Sequence, residues 1–399
     1  MPGRPGVLVL MGSGETSPTM VEVHRSVVHR LGAAPRAVLL DTPYAFQENA
    51  ADISARARGY FARSVGLAVE VGGEVGGADW VFCGPGSPTF ALDRWTRTPV
   101  GGDLRARVRA REGATVLASA AACTAGVATV PVYEIYKVGA EPHWRPGLDL
   151  LGNLDLQVAV IPHYDNTEGG THDTRYCYLG ERRLARMEPE LPPGAAVLGI
   201  DEHTALIVDL GTEEVLVAGR GRVTIRRPGS QAVLPAGTGT DLDEIRRLAR
   251  GETAAAAVTP QVTSPAPRQI TLEEVTRSCE ERFAAALAEH DADGATRAVL
   301  DLEAEVTRWG ADTEEDEGGV EHARDSLRLL IAKLGAMART PNSRGGVGCL
   351  VEAVLALRGE LRRQERYDLA DALRAALLNG GVLVEDTPGG PRWTSTATR

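Results

Sequence analysis

Ala114-Thr115-Val116-Leu117-Ala118-Ser119-Ala120-Ala121-Ala122-Cys123-Thr124-Ala125-Gly126 is the stretch on which the first two-thirds of the chain turns. A β-branched and apolar run, Thr115 to Leu117, follows the turn signal Glu112-Gly113 and stops near a serine, after which small residues continue to Gly126. A side chain at a sharp strand-to-helix turn stands proud of a sheet only if its neighbours carry little bulk, which is what a nucleophile elbow requires. In the pattern Gly-x-Ser-x-Gly, however, Leu117 and Ala121 occupy the glycine positions, so the local sequence fits a plain strand-helix junction as well.

Upstream, strand and helix patterns alternate. Val7 to Met11 reads as a buried strand, Pro18 to Leu31 places Met20, Val23, Val27, Val28 and Leu31 at helical spacing, and Ala37 to Leu40 is a second strand. The amphipathic segment from Ala45 to Val65 and the strand Trp80 to Cys83 follow. This alternation predicts an α/β fold with a mostly parallel sheet and helices on both faces. Sites in such sheets gather at the carboxyl ends of strands. Three loops fall there: Gly12-Ser13-Gly14-Glu15-Thr16, Gly84-Pro85-Gly86-Ser87-Pro88-Thr89 and the Ser119 turn.

Downstream, Val158-Ala159-Val160-Ile161-Pro162-His163 reads as a strand delivering a histidine, and Val197-Leu198-Gly199-Ile200-Asp201-Glu202-His203 as one delivering acids. A serine, a histidine and a carboxylate carried there can meet above the sheet, the imidazole taking the serine proton and the acid fixing its tautomer. Each has a bland reading too: His163 as a structural histidine, Glu202 as a surface acid opening a turn.

These residues carry a family resemblance. Residues 7–223 resemble the peptidase E and cyanophycinase group of serine hydrolases, whose fold is similar to the type 1 glutamine amidotransferases. The resemblance lies in Phe82-Cys83-Gly84-Pro85-Gly86-Ser87-Pro88-Thr89, Ser119-Ala120-Ala121-Ala122, Pro162-His163-Tyr164 with Arg182-Arg183-Leu184, and Gly199-Ile200-Asp201-Glu202-His203-Thr204-Ala205. It implies Ser119 as nucleophile and His163 as base. Backbone amides near Gly84, Gly86 and Ser87 and at Ala120 become the oxyanion hole. The acid is expected between nucleophile and histidine, Glu134 being the first candidate and Glu141 the second, with Glu202 lining the site. Where the family has Gly-x-Ser-Ala-Gly-Ala, a shift of one residue would put Ala120 in the nucleophile position; Gly126 favours the Ser119 register. His172 and Arg175, in the segment from Gly169 to Arg175, are candidates for gripping substrate.

The 399 residues, 43% hydrophobic, suffice for about two domains. Scattered Cys83, Cys123, Cys177, Cys279 and Cys349 indicate neither a disulfide framework nor a zinc site, and no metal or cofactor is expected. No apolar run reaches membrane-spanning length and the N-terminus leads into a strand rather than a signal peptide, so a cytoplasmic protein is expected. A net charge of −11 excludes a generally basic nucleic-acid coat, though not a local basic face.

Arg220 to Val233 reads as closing strands and Asp241 to Arg250 as a short helix. The composition then shifts to Ala, Thr and Pro without periodicity, giving a hydrolase-like domain at 1–250, a linker at 251–268 and a separate small helical domain at 269–399. In that domain Phe283, Ala284 and Leu287 share one face, as do Leu327, Leu330, Ile331 and Leu334. Asp312 to Glu317 is acidic, and a break at 343–348 precedes another helix. After Leu327, eleven Lys or Arg stand against seven Asp or Glu.

A second resemblance covers 269–393. Arg362-Arg363-Gln364-Glu365-Arg366-Tyr367-Asp368-Leu369-Ala370-Asp371 and Val384-Glu385-Asp386-Thr387-Pro388-Gly389-Gly390-Pro391-Arg392-Trp393 resemble the C-terminal anticodon-recognising part of cysteinyl-tRNA synthetases. It implies that Tyr367 stacks on an anticodon base, Arg362 donates to a base edge, and Asp371 and Asp386 accept from base edges, with Arg358 and Arg363 on phosphates. Tyr367 and Trp393 could instead close a small core. Together the resemblances imply a serine-hydrolase-like protein acting on a cysteinyl-tRNA-related or peptide-like ester or amide, with tRNA-Cys as a partner. The alternatives are a degenerate hydrolase fold that binds tRNA or a synthetase, and a plain peptidase.

Overall fold

A computed structural model describes residues 5–72, 75–168, 172–252, 272–289, 291–310, 319–339, 347–387 and 390–395. The chain divides into two compact units, Met1–Leu330 and Ile331–Arg399. Helices Leu272–Ala288 and Ala292–Trp309 thus group with the α/β body, and the division falls well beyond the compositional break at 251–268. Residues 253–271, the acidic run 312–317 and positions 343–346 lie outside the described residues.

An eight-stranded sheet forms the centre of the first unit. Its spatial order is Gly239–Asp241, Glu214–Gly219, Thr204–Asp209, Val7–Met11, Ala114–Ala118, Trp80–Cys83, Ala37–Leu40 and Val69–Val71. The five strands from Val7–Met11 to Val69–Val71 are mutually parallel, whereas Thr204–Asp209 pairs antiparallel with Val7–Met11 and continues antiparallel to the edge. The sheet is therefore mixed, not mostly parallel. The hairpin that follows Glu202 adds to it without a crossover helix, and antiparallel pairing needs none.

Period-two alternation assigns the two faces. Val7, Val9, Met11, Val116, Trp80 and Phe82 face a core completed by Val23, Val27, Ile53, Ala57 and Tyr60 of helices Val21–Arg30 and Ala50–Tyr60. Leu8, Leu10, Leu117, Val81 and Leu40 face the other way. There they meet helices Pro88–Arg97 and Pro99–Ala110 and a second, six-stranded sheet that contributes Val158, Val160, Leu198, Ile200, Val223 and Ile225. That second sheet departs from the expectation of helices alone on both faces. Its strands run Ser230–Pro235, Arg222–Arg227, Ala196–Ile200, Val158–Ile161, Ala128–Thr129, Arg145–Pro146. The strands bearing His163 and Glu202 are parallel neighbours in it, Val160 opposite Leu198 and Ile161 opposite Gly199.

Helix Leu272–Ala288 buries Leu272, Thr276, Cys279, Phe283 and Ala286, a stripe at helical spacing, while Ala284 and Leu287 face outward. In the second unit, helices Val347–Arg363 and Tyr367–Asn379 are followed by a hairpin, Val382–Thr387 against Gly390–Ser395. This part is thus helical with a two-stranded close, its small core built from Val351, Leu355, Val382 and Val384. Among the described residues no helix is long and apolar enough to cross a membrane.

Candidate active site

Strand Ala114–Ala118 passes directly into helix Ser119–Cys123, and Ser119 takes up φ +48° at the junction. A left-handed backbone at a non-glycine residue costs about 1–2 kcal/mol and persists only where packing imposes it. The packing here is the small-residue run. Ala121, Ala122 and Ala125 are buried, and the Ala121 amide donates to the Gly84 carbonyl at 3.3 Å, tying the elbow to the neighbouring loop. The chain can turn without the usual glycines because Leu117 points into the core and Ala121 adds only a methyl group. Gly126 is indispensable: a Cβ there would lie 2.2 Å from the Val158 carbonyl oxygen.

Ser119 Oγ lies 2.9 Å from Nε2 of His163, and Nδ1 of the same ring lies 2.9 Å from Oε1 of Glu202. His163 is itself left-handed, φ +49°, just beyond strand Val158–Ile161. Its carbonyl accepts from the Cys177 amide at 3.1 Å, within a run of three left-handed residues, Tyr176, Cys177 and Tyr178. Glu202 Oε1 also accepts from Asn166 Nδ2 at 3.2 Å, and the Glu202 amide donates to Asp165 Oδ1 at 2.7 Å. Burial alone would push the Glu202 carboxyl up, but its hydrogen bonds to His163 and Asn166 and the neighbouring imidazoles bring it below the usual carboxylate value.

The acid behind the histidine is accordingly Glu202 and not Glu134. Glu134, on the short helix Val132–Tyr136, accepts instead from Thr89 Oγ1 at 3.0 Å, and Glu141 pairs with Arg186 on the surface at 3.0 Å. The parallel pairing of the His163 and Glu202 strands is the reason: it sets the two strand ends side by side. Asn166 and Asp165 hold Glu202 and were given no role by sequence reasoning; the signal was the polar Asp-Asn pair one residue beyond the histidine, after Tyr164.

Ser87 does not offer its amide, which donates to the Pro43 carbonyl at 2.8 Å, while its hydroxyl caps helix Pro88–Arg97 at the Phe90 amide. Gly86 lies between, at φ +129°, where a Cβ would be 2.2 Å from the Pro43 oxygen. Ala120 sits in the first turn of its helix, where an amide has no intrahelical acceptor. His172 lies against Tyr136, its Nε2 3.5 Å from the phenol oxygen, and Arg175 is held in a two-pronged pair with Asp173 over the Tyr176 ring. Both are engaged with these partners rather than with Ser119 or His163. Among the described residues no cluster of three or more His, Cys, Asp or Glu could hold a metal.

In the second unit, Arg358 is buried and donates through both terminal nitrogens to Asp386, at 2.7 and 2.9 Å. Arg362 donates to the same carboxylate at 2.9 Å, and Asp386 is held well below the usual carboxylate range by the Arg358 hydrogen bonds first. Trp393 packs against the small core and donates to Glu352 Oε1 at 3.1 Å. Arg358, Asp386 and Trp393 are thus engaged in contacts within this unit. Tyr367 and Asp371 are exposed, as is Arg363, which pairs with Glu360.

No family model matches the chain. It is similar to cysteine–tRNA ligase of Symbiobacterium thermophilum, 32% identical over 143 residues, which are 35% of this chain and 29% of that protein. A shorter match, 48% identical over 65 residues, is to cysteine–tRNA ligase of Beutenbergia cavernae, covering 16% of this chain and 14% of that one. The chain spans less than a third of the length of these relatives. A solved peptidase from an acI-B1 actinobacterium superposes on 59% of this chain and 97% of its own, with 22% identity and a TM-score of 0.48.

Proposed function

We propose that the first unit is a serine hydrolase in which Ser119, His163 and Glu202 act as nucleophile, base and orienting acid. The observation that carries this reading is the unbroken chain of two 2.9 Å contacts from Ser119 Oγ through the His163 ring to Glu202. Ser119 Oγ attacks an ester or amide carbonyl as its proton passes to His163 Nε2. Glu202 keeps the second ring proton on Nδ1 and stabilises the imidazolium. The proton then goes to the leaving oxygen or nitrogen, and water, activated by the same ring, releases the acyl group. The amides of Ala120 and Gly86 are the donors suited to the developing oxyanion.

The likeness to cysteine–tRNA ligases supports a tRNA-linked substrate, a cysteinyl-tRNA or a related aminoacyl or peptidyl conjugate, with Tyr367, Asp371, Arg362 and Arg363 as the RNA-facing residues. A fluorophosphonate probe tests the hydrolase reading directly. Native protein is expected to be labelled at Ser119 and Ser119→Ala to stay unlabelled. Unlabelled native protein would leave a tRNA- or synthetase-binding role for a fold that cleaves nothing.

A further inference from the structure

We propose that His203 is a positioning residue that holds Glu202 against His163, and that Trp309 braces His203 there, coupling helix Ala292–Trp309 to the hydrolase centre. The catalytic consequence rests on the hydrolase reading; the structural coupling does not.

Asp201 to His203 is the turn by which the chain leaves one sheet, at Ile200, and enters the other, at Thr204. Glu202 can face His163 only while this turn keeps its shape, and His203 adopts φ +50°, which a side chain must be held to maintain. Its ring is held on several sides. Nδ1 lies 2.9 Å from Thr19 Oγ1 and 3.3 Å from Ser17 Oγ, and the Ser17 hydroxyl donates to the Gly14 carbonyl at 2.6 Å. The ring fills the space over Gly14, where a Cβ would come within 2.1 Å of Nδ1. The glycine loop 12–16, which the chemistry at Ser119 leaves without a task, is thus the seat of this ring. The His203 carbonyl accepts from the Arg220 amide at 3.0 Å, fixing the far end of the turn.

Trp309, the last residue of helix Ala292–Trp309, meets the ring edge to face, centroids 6.0 Å apart at 70°. Glu202, His203 and Trp309 line one cleft of about 830 Å³ with Asp165, Asp201 and Arg220, so the helix end and the acid share a space that the nucleophile does not line. The charged and titratable groups that act on His203 include Arg220, Glu202 and His163, and Glu273 and His322 line the same cleft. Burial, and next the Arg220 charge, bring its pKa down to about 4. The ring is consequently neutral at pH 7 and does not compete with His163 for the Glu202 charge.

The test follows the His163 imidazole by NMR in full-length protein labelled with ¹⁵N-histidine, for the native chain and for His203→Ala, His203→Asn, Trp309→Ala and Trp309→Phe. Release of Glu202 removes a negative charge from Nδ1, so in both Ala variants the His163 titration midpoint is expected to fall by about one pH unit. Asn, which keeps a hydrogen-bonding atom at the Nδ1 position, and Phe, which keeps a ring edge, are expected to restore the native midpoint. Fluorophosphonate labelling of the Ala variants is expected to slow about tenfold. An unchanged His163 midpoint in folded Trp309→Ala and His203→Ala would overturn the proposal; should His203→Ala not fold, Trp309→Ala decides. A shifted midpoint in a protein that no probe labels would uphold the coupling and reject the hydrolase.

Discussion

His163 Nδ1 and Glu202 Oε1 are 2.9 Å apart, held there by two parallel strands whose ends lie side by side. Glu134 meets Thr89 instead. Replacing Glu202 with Gln keeps the shape but removes the charge that stabilises the imidazolium, so fluorophosphonate labelling should slow by about 10²- to 10⁴-fold. Glu134→Gln should stay within a few-fold of native. Equal losses in the two variants would assign the orienting role to neither.

His24 is buried and His203 half-buried, and lost solvation, helped at His203 by the Arg220 charge, brings each down to about 4. In the unfolded chain both titrate near 6.5. Between those values the unfolded state binds more protons than the native one, so stability falls as pH drops from about 6.5 to about 4. Each histidine contributes up to ~3 kcal/mol of that loss. Glu202, depressed in the folded state, adds a loss of the same sign at still lower pH. Urea midpoints at pH 7.5, 6.0 and 5.0 should decline in order, and His203→Asn should flatten the decline. A flat profile would show that both rings take up protons in the native state.

The parallel core strands were legible because each is an unbroken apolar run flanked by helical periodicity: Val7–Met11, Ala37–Leu40 and Trp80–Cys83 occupy the residues expected. The second sheet was legible only in its longer strands, such as Val158–Ile161 and Ala196–Ile200, because Ala128–Thr129 and Arg145–Pro146 are two residues long and carry no period, and nothing local says that these strands form a sheet of their own. Strand order is a long-range property, and for the same reason Glu202 could be read as a strand-end acid able to meet His163 but could not be chosen over Glu134 and Glu141. The Ser119 turn was ambiguous in sequence since its left-handed backbone is imposed by packing rather than announced by glycine. In the second unit the Arg and Asp residues were visible, but only burial distinguishes Arg358, turned inward to Asp386, from Arg363, turned out to solvent.

That inward pair makes a prediction opposite in kind to a nucleic-acid contact. Asp386→Ala leaves the buried Arg358 guanidinium without its carboxylate, and stranding a buried donor costs about 1–3 kcal/mol. Denaturant unfolding of the full chain should show an early transition for the second unit. Native-like unfolding combined with altered tRNA preference would return Asp386 to the RNA surface.

Tyr367, 55% exposed at the start of its helix, is the residue best placed for a base to stack on. If the second unit engages unpaired RNA, Tyr367→Ala should weaken tRNA-Cys binding by about 1–3 kcal/mol, with no change in unfolding because the ring supports little of the core. Arg363 pairs with Glu360 one turn away, an exposed contact that is easily given up to a phosphate. Arg363→Gln should therefore weaken binding to every tRNA alike and reduce the slope of log K against log salt by about one. Filter binding of the full chain at several salt concentrations measures both. Binding that is equal for all tRNAs and indifferent to Tyr367 would mean that this surface reads no base, leaving the likeness to cysteine–tRNA ligases as one of fold.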